Sequence, residues 1–222
     1  MTAGRATVLF ALEREAAPFR RIARDLPGVT VHVTGVGARA GPFAERLFAR
    51  SRPDFVVIAG FCGALDPALA AGNVIEPGDV VDGAGGYWPC AAGTTSTHLL
   101  TVPRLVATPV EKCILHTFYH AAAVDMESAH IAAVCTRHGV PFRVVRTVSD
   151  TAETALSPRL VTLLSGGTVS PLRGAAALVR QPSLLMEFRR LARDTSVAAA
   201  NMAGVISRVI RDAREPHAGN SE

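Results

Sequence analysis

The sequence has few charged residues, few aromatic residues and no long apolar run. Charged residues make up 19% of its 222 residues, aromatic residues 5% and hydrophobic residues 49%, which excludes a disordered chain and an ordinary coiled coil. No stretch reaches the roughly 18 consecutive apolar residues that indicate a membrane-spanning helix. The first apolar run, 6–12, ends at Glu13, too soon for a signal peptide. The sequence therefore predicts a cytoplasmic protein.

Lysine is nearly absent, because Lys112 is the only lysine among 23 basic residues. The arginines are scattered and acidic residues lie between them. The net charge of +4 is therefore not gathered into the basic stripe that binds a nucleic-acid backbone. We expect no nucleic-acid partner.

The four cysteines show no spacing typical of metal ligands. Cys62, Cys90, Cys113 and Cys135 contain no CxxC pair, and none combines with histidines in a zinc-finger pattern. In a cytoplasmic protein such cysteines are most often small, buried apolar residues. We expect no metal ion and no cofactor.

Three apolar strands alternate with two helices at the start of the chain. Residues 6–12, Val29 to Val36 and Asp54 to Gly60 predict strands, and apolar residues at helical spacing predict helices over 13–26 and about 41–50. This βαβαβ alternation indicates an α/β sheet covered on both faces.

The middle of the chain is harder to assign because it is rich in glycine. The stretch 83–97 predicts a loop, and Leu99 to Val102 and Leu105 to Ala107 predict short strands. Thr108, which precedes a proline and stands three residues before a glutamate, has the pattern of a helix N-cap.

A further strand, helix and strand follow before a long C-terminal segment. They are predicted over Ala121 to Asp125, Met126 to His138 and Phe142 to Val148. The segment 151–222 predicts mostly helix, and no linker divides the chain into two domains.

Four clusters with polar side chains or glycine follow predicted strands, which is where open α/β sheets place their sites. They are Leu12 to Glu15, Gly60 to Leu65, Val124 to Ser128 and Arg146 to Asp150. Five motifs occur here in order: LFALEREAAPF, TGVG, VIAGFCGALDPAL, AAAVDMESAHIAAVC and VPFRVVRTVSD. Through them the sequence resembles the nucleoside phosphorylase and nucleosidase superfamily, on the side of the 5′-methylthioadenosine/S-adenosylhomocysteine nucleosidases.

The resemblance implies a single-domain, three-layer α/β/α sandwich around a central mixed, mostly parallel sheet, spanning 1–222. It also implies cleavage of the N-glycosidic bond of a purine nucleoside, with adenine the expected base. Asp150 would be the general acid that protonates the purine N7, and Glu15 would position or deprotonate the attacking water. Ser149 and Arg146 would orient the carboxyl group of Asp150.

The resemblance implies a nucleoside pocket around these groups. Glu127 would accept hydrogen bonds from the ribose hydroxyls, and Met126 would pack against the sugar. Val106 is an approximate match for the residue that stacks on the base. Backbone groups would face the sugar and the base at Phe61, Cys62 and Gly63.

Simpler structural roles are open for the same residues. Glu15 in a first helical turn is favoured by the helix dipole, and Asp125, Glu127 and Asp150 all suit helix N-termini. A lone methionine such as Met126 is more often a core residue than a ligand contact. The ordered set of motifs favours the functional interpretation.

Three departures from the family pattern bear on the reaction. Phosphorolytic relatives hold phosphate with an arginine and a serine near the glycine at the strand end. Residues 57–62 contain neither, which favours water as the nucleophile. The stretch between Val81 and Leu105 is short, which implies either a more open pocket or one that another segment closes. The segment 151–222 is long, apolar in places and basic.

That last feature points to a subfamily. ATPVEKCILH, AVDMES, ISRVIRD and the SPL…LVRQPSLL…RLARD tail are similar to the hopanoid-associated phosphorylase-like proteins. This similarity implies adenosylhopane, a nucleoside with an apolar 5′ tail, as the favoured substrate. The apolar and basic C-terminal segment itself is expected to pack on the body or on a dimer mate, or else to form a lid or a membrane-surface face for an apolar substrate. A homodimer is expected from the family. Alternatives are a methylthioadenosine/adenosylhomocysteine or futalosine nucleosidase, a phosphorolytic enzyme, and a non-catalytic binding module.

Overall fold

The computed structural model describes residues 4–91, 96–156 and 200–214. Within this part of the chain the strands are β1 (Ala6–Phe10), β2 (Val29–Val33), β3 (Phe55–Ala64), β4 (Val74–Ile75), β5 (Asp79–Asp82), β6 (Tyr87–Pro89), β7 (His98–Thr101), β8 (Ala121–Asp125) and β9 (Phe142–Asp150). The helices are α1 (Glu13–Ala23), α2 (Ala40–Arg50), α3 (Pro109–Tyr119), α4 (Ser128–Arg137) and α5 (200–214).

The described strands form one mixed sheet that branches at β3. The main path runs β2-β1-β3-β8-β7-β5-β6, and β9 pairs with β3 and β4. Strand β3 is parallel to β1 and β9, and its end pairs antiparallel with β8 through Gly63 and Ala64. Strand β7 is parallel to both of its neighbours, β5 and β8, whereas β6 at the edge is antiparallel to β5. The predicted α/β fold with a mixed, mostly parallel sheet is confirmed.

Apolar side chains on both faces of the central strands form two cores. Val56 and Ile58 belong to the core under α2 and α4, whereas Val57 and Ala59 belong to the core under α1 and α5. Successive strand residues point to opposite faces, so a continuous apolar run marks a strand that is buried on both sides. Helices on both faces give the three layers.

Helix α5 is held to the sheet by its apolar face and by an ionic cluster. Met202, Ile206 and Ile210 are fully buried against the sheet. Arg208 on α5 and Arg143 on β9 both contact Glu76. The remainder of the predicted helical segment 151–222 lies largely outside the described residues, so its structure stays a prediction. No helix in the described ranges is long and apolar enough to cross a membrane.

Helix α3 begins as the sequence predicts. The Thr108 hydroxyl accepts a hydrogen bond from the Glu111 N–H at 3.2 Å, and Pro109 occupies the first turn. The helix ends at His120, which has a left-handed backbone with φ of 51°. The predicted N-cap is confirmed.

Two local predictions are wrong. Leu105 to Ala107 is not a strand; it crosses the end of the sheet, where the Ala107 carbonyl accepts a hydrogen bond from the Leu156 N–H at 2.9 Å. The stretch 83–97 is not all loop, because β6 pairs antiparallel with β5. The Asp82 carboxylate closes that hairpin by accepting from the Gly86 N–H at 2.7 Å. In the first case the bonding partner is distant in the sequence, and in the second the chain turns back and pairs with itself. Local residue propensity reveals neither kind of contact.

Two strands are longer than predicted. Strand β3 continues from Gly60 to Ala64 and β9 continues from Val148 to Asp150, since the two keep pairing beyond those points, with a shift of register between Cys62 and Gly63.

The four cysteines differ in burial. Cys62 and Cys135 are buried as expected, Cys90 is partly buried and Cys113 is exposed. Cys113 therefore departs from the expectation that such cysteines are most often buried.

Candidate active site

A pocket lies where β1, β3, β8 and β9 end. Its walls come from the ends of these strands, from the start of α1 and from the segment before α3. The lining residues are Ala11, Leu12, Arg14, Glu15, Val36, Phe61, Cys62, Gly63, Arg104, Leu105, Val106, Val124, Asp125, Met126, Glu127, Ser149, Asp150 and Leu156. Nine of the ten predicted site residues are therefore gathered at one pocket. The tenth, Arg146, lies buried behind it.

Glu15 is buried at the start of α1 and held by backbone donors. Its Oε2 accepts from the Leu12 N–H at 2.9 Å and its Oε1 from the Phe61 N–H at 3.2 Å. Burial raises the pKa of the Glu15 carboxyl, and the nearby positive charge of Arg146 opposes that rise. The side chain is thus fixed between β1 and β3 with its carboxylate at the pocket wall.

Arg146 is the buried centre of an ionic network behind the pocket. Its guanidinium contacts the Asp125 carboxylate, donates to the Ser128 hydroxyl at 2.9 Å, and lies 3.9 Å from Glu127 Oε2. The Asp125 carboxylate also accepts from the Ser128 N–H at 3.1 Å. Asp125 therefore does cap α4, as the simpler interpretation proposed, and in addition neutralises a buried arginine.

A glycine on β3 makes room for that arginine. Gly60 has φ of +152°, and a Cβ atom there would lie 2.4 Å from Arg146 Nη1 and 3.2 Å from Glu15 Oε2. Because the arginine is buried and held by ion pairs, it has little freedom to move away. Any larger residue would displace Arg146 or Glu15.

Glu127 projects into the pocket from the turn between β8 and α4. Its Oε1 accepts from the Gly37 N–H at 2.8 Å. Burial raises the pKa of Glu127 to about 7; the negative charge of Asp125 adds to the rise and Arg146 opposes it. Its neighbour Met126 is half-buried and lines the same pocket.

Asp150 and Ser149 end β9 beside Cys62 and Gly63 of β3. The Ser149 Oγ lies 2.5 Å from Asp150 Oδ1 and 3.0 Å from the Cys62 carbonyl oxygen. A hydroxyl has one proton to donate, so Ser149 serves one acceptor at a time. Burial raises the pKa of the Cys62 thiol, so this cysteine is neutral and apolar in character rather than a nucleophile.

The sequence reasoning missed Lys112. This side chain is fully buried on α3, and its Nζ donates to Asp150 Oδ2 at 2.5 Å, to the Thr151 carbonyl at 2.6 Å and to the Thr154 carbonyl at 3.3 Å. The available signal was its status as the single lysine in an arginine-rich chain. That signal does not indicate which of the acidic residues it meets, because Asp150 lies 38 residues further along the chain.

The described residues contain no group of three or more histidine, cysteine, aspartate or glutamate side chains placed to hold a metal ion. Two arginines that the sequence reasoning did not select, Arg14 and Arg104, line the pocket. Arg104 is paired with the Glu111 carboxylate. The pocket therefore has three buried acidic side chains, Glu15, Asp125 and Glu127, and a buried lysine–aspartate pair, with cationic groups at its wall.

The comparisons with known proteins agree with this architecture. The family model described as Phosphorylase superfamily matches residues 98–162. A 5′-methylthioadenosine/S-adenosylhomocysteine nucleosidase of Staphylococcus aureus (strain MRSA252) is 28% identical over 186 residues, covering 69% of this chain and 82% of that protein.

Solved structures share the fold over almost the whole chain. The 5′-methylthioadenosine nucleosidase of Arabidopsis thaliana in apo form has a TM-score of 0.68 at 16% identity, covering 99% of this chain and 98% of that one. The native futalosine hydrolase of Helicobacter pylori strain 26695 has a TM-score of 0.68 at 14% identity, covering 95% of this chain and 98% of that one. Together with the sequence matches, they support the superfamily that the motifs predicted: the chain is similar to proteins of the nucleoside phosphorylase and nucleosidase superfamily, and in particular to its 5′-methylthioadenosine/S-adenosylhomocysteine nucleosidases.

Proposed function

We propose that the protein hydrolyses the N-glycosidic bond of an adenine nucleoside with a 5′ substituent and releases adenine. The observation that carries this proposal is the placement of Glu15 and Asp150 at one pocket. The relatives and solved neighbours support an enzyme of the purine nucleosidase family, of the hydrolase type.

The spacing of the two carboxyl groups suits this reaction. A Cβ atom at Gly60 would meet Glu15, and one at Gly63 would meet Asp150, each at 3.2 Å. Phe61 and Cys62 lie between the two glycines, so Glu15 and Asp150 approach β3 at different points of one pocket. Hydrolysis of a glycosidic bond uses a general acid and a general base placed at two such separate points.

In the proposed step the bond between ribose C1′ and purine N9 breaks, and its electron pair passes to the base. Asp150 gives a proton to N7, which makes the base a better leaving group. A water molecule bonds to C1′ and gives its proton to Glu15. Glu127 binds the ribose hydroxyls, and Met126 packs against the sugar. Ser149 orients Asp150, and Arg146 supports the pocket from behind.

The remaining roles concern the walls of the pocket. Phe61, Cys62 and Gly63 face the nucleoside through β3, and Phe61 also donates its N–H to Glu15. Val106 is buried beside Leu156 in the segment that crosses the sheet end, where it is available to pack against the base.

The first experiment measures release of free adenine from methylthioadenosine and adenosylhomocysteine, each with and without phosphate. We expect release that does not depend on phosphate, with the free sugar as the second product. Asp150→Asn and Glu15→Gln should each lower kcat at least 100-fold while nucleoside binding persists. Glu13→Gln, an exposed carboxyl on the same helical turn as Glu15, is the matched control and should retain activity.

Each alternative has its own outcome. Products that require phosphate and contain a sugar phosphate would make the protein a phosphorylase, with Arg14 as a pocket arginine available to the anion. Binding of nucleosides without base release from any substrate would identify a binding module. Release only from futalosine would narrow the substrate instead of changing the reaction.

We further propose that the natural 5′ substituent is large and apolar, as in adenosylhopane. This proposal is supported by the sequence resemblance alone, because residues 157–199 of the C-terminal segment lie outside the described residues. An adenosyl-lipid is therefore included in the substrate panel. A kcat/KM for the lipid below that for methylthioadenosine would contradict it.

We also propose a homodimer. Val110, Ile114 and Phe118 recur every four residues on α3 and are all exposed, and a contiguous apolar stripe of this kind favours association. Light scattering should give a dimer for the whole protein and a monomer for Phe118→Ser. A monomeric wild type that binds lipid vesicles would instead favour the membrane-surface interpretation.

A further inference from the structure

We propose that Lys112 is a positioning residue for the departure of the base: it holds Asp150 and supplies, through that carboxyl group, the proton that the purine N7 takes. The inference rests on the proposed nucleosidase function and adds the source of the proton. Lys112 does not line the pocket, so it acts only through Asp150.

Each of the three N–H donors of the Lys112 ammonium group has an acceptor in the structure. Three acceptors surround Nζ, namely Asp150 Oδ2 and the carbonyl groups of Thr151 and Thr154. An ammonium has three N–H donors, so each has a partner and the group has no other orientation to adopt. Of these three acceptors, only the Asp150 carboxylate can accept the proton itself in a chemical step.

Burial explains why a lysine occupies this position. Lys112 has no exposed surface and Asp150 is 8% exposed, so the pair exchanges protons with water mainly through the pocket. A buried ion pair adds little net stability compared with apolar residues of similar size. Lys112 adds little stability, and it contacts the proposed general acid. Its presence at this position is therefore better explained by a role in the reaction than by a role in the fold.

The step balances as a relay. The Nζ–H bond breaks as an O–H bond forms on Asp150; that O–H bond then breaks as N7–H forms, while the C1′–N9 electron pair enters the purine. Water supplies the oxygen to C1′, and its proton goes to Glu15. After product release, Lys112 regains a proton from solvent and Glu15 returns one.

Ser149 is placed to follow the change of state at Asp150. While Asp150 is a carboxylate, the Ser149 hydroxyl donates to Oδ1 at 2.5 Å. When Asp150 carries the proton, the Ser149 hydroxyl donates instead to the Cys62 carbonyl oxygen at 3.0 Å. The hydroxyl therefore has an acceptor in both states, and the proton transfer leaves no buried donor without a partner.

The decisive variant is Lys112→Arg, because arginine keeps the positive charge and does not release its proton in proteins. We expect kcat for adenine release to fall at least tenfold, with KM changed less than threefold. Lys112→Met, which removes the charge, should lower kcat at least 100-fold. Arg137→Met removes a cation from an exposed pair with Glu45 and is the control expected to keep wild-type activity.

Two further readouts separate proton supply from a structural role. The Lys112→Met change should add less than a threefold loss to the Asp150→Asn variant, since both act in one step. The alkaline limb of the kcat profile should also move to lower pH in Lys112→Met, because a carboxyl group alone then has to retain the proton.

Besides Asp150, the charged and titratable groups that line the same pocket are Glu15, Asp125, Glu127, Arg14, Arg104 and Cys62. All of them are present in wild type and Lys112→Met alike. The acid limb, assigned to Glu15 and Glu127, should therefore stay in place as an internal reference, and a shift confined to the alkaline limb is attributed to Lys112.

The outcomes distinguish this inference from the proposed function. If the wild type releases no base from any substrate, the nucleosidase proposal fails. If the wild type is active and Lys112→Arg retains kcat within threefold, only the proton-supply inference is overturned. Thermal unfolding and nucleoside binding check that the variants are folded; if Lys112→Met does not fold, Lys112→Arg and its pH profile decide the question.

Discussion

Glu127→Gln isolates the cost of ionising a buried carboxyl in the pocket. In the folded protein the pKa of Glu127 is raised from its ordinary 4.5 to about 7, first by burial and then by the charge of Asp125. The amide of glutamine has nearly the same shape and retains the oxygen that accepts from the Gly37 N–H. The substitution therefore removes the titration without emptying the site.

The sign follows from proton linkage. Between about pH 4.5 and 7 the folded protein binds the Glu127 proton and the unfolded chain has lost it, so stability falls as pH rises through this window. A pKa raised from 4.5 to about 7 corresponds to roughly 3 kcal/mol once ionisation is complete. The side chain is only 6% exposed, so screening by solvent reduces this figure little.

The assay is urea unfolding of wild type and Glu127→Gln from pH 5 to 8.5, with coincident probes to establish two-state behaviour. We expect the variant to gain about 2–3 kcal/mol relative to wild type across that range. Glu13→Gln, the same change at an exposed position, should give a profile parallel to wild type. Parallel profiles for Glu127→Gln and wild type would refute the reasoning and show that the carboxyl ionises in the fold without cost.

Three further predictions address the supporting structure. Asp125→Asn leaves the buried guanidinium of Arg146 without its main counter-charge, and chemical denaturation should show a loss of about 3 kcal/mol. Gly60→Ala places a methyl group against Arg146, so adenine release should fall at least tenfold, with a destabilisation of about 1–3 kcal/mol. Met202→Ala opens a cavity under α5 and should lower the unfolding free energy by about 3 kcal/mol while kcat is unchanged. Wild-type values would contradict each expectation.

The sequence of strands and helices in the first half of the chain was predictable because its strands are buried on both faces. Residues 6–12 and 54–60 are continuous apolar runs between helical patterns, and such runs in a βαβαβ alternation form parallel strands. The start of α3 was equally predictable, since Thr108 and the residues that follow it carry a complete capping pattern. These features depend on neighbours a few residues apart.

The candidate site was predictable as a set of residues. The motifs predicted that Glu15, Glu127 and Asp150 lie near strand ends. The carboxyl ends of neighbouring parallel strands converge on one crevice. Their environment was not predictable in the same way. The raised pKa of Glu127, for example, comes first from burial and then from the charge of Asp125, and burial of a polar side chain depends on which elements cover it.

The sequence by itself therefore determined the fold class, the superfamily and the residues that surround the pocket. Only the tertiary structure decided that Lys112 meets Asp150, that Asp125 neutralises Arg146, and that β3 continues past Gly60 to pair with β8 and β9. The physical reason is the range of the interactions. Hydrophobic periodicity and capping are written in consecutive residues, whereas a buried ion pair joins side chains that are distant in sequence and is formed only when the strands and helices that bear them have packed.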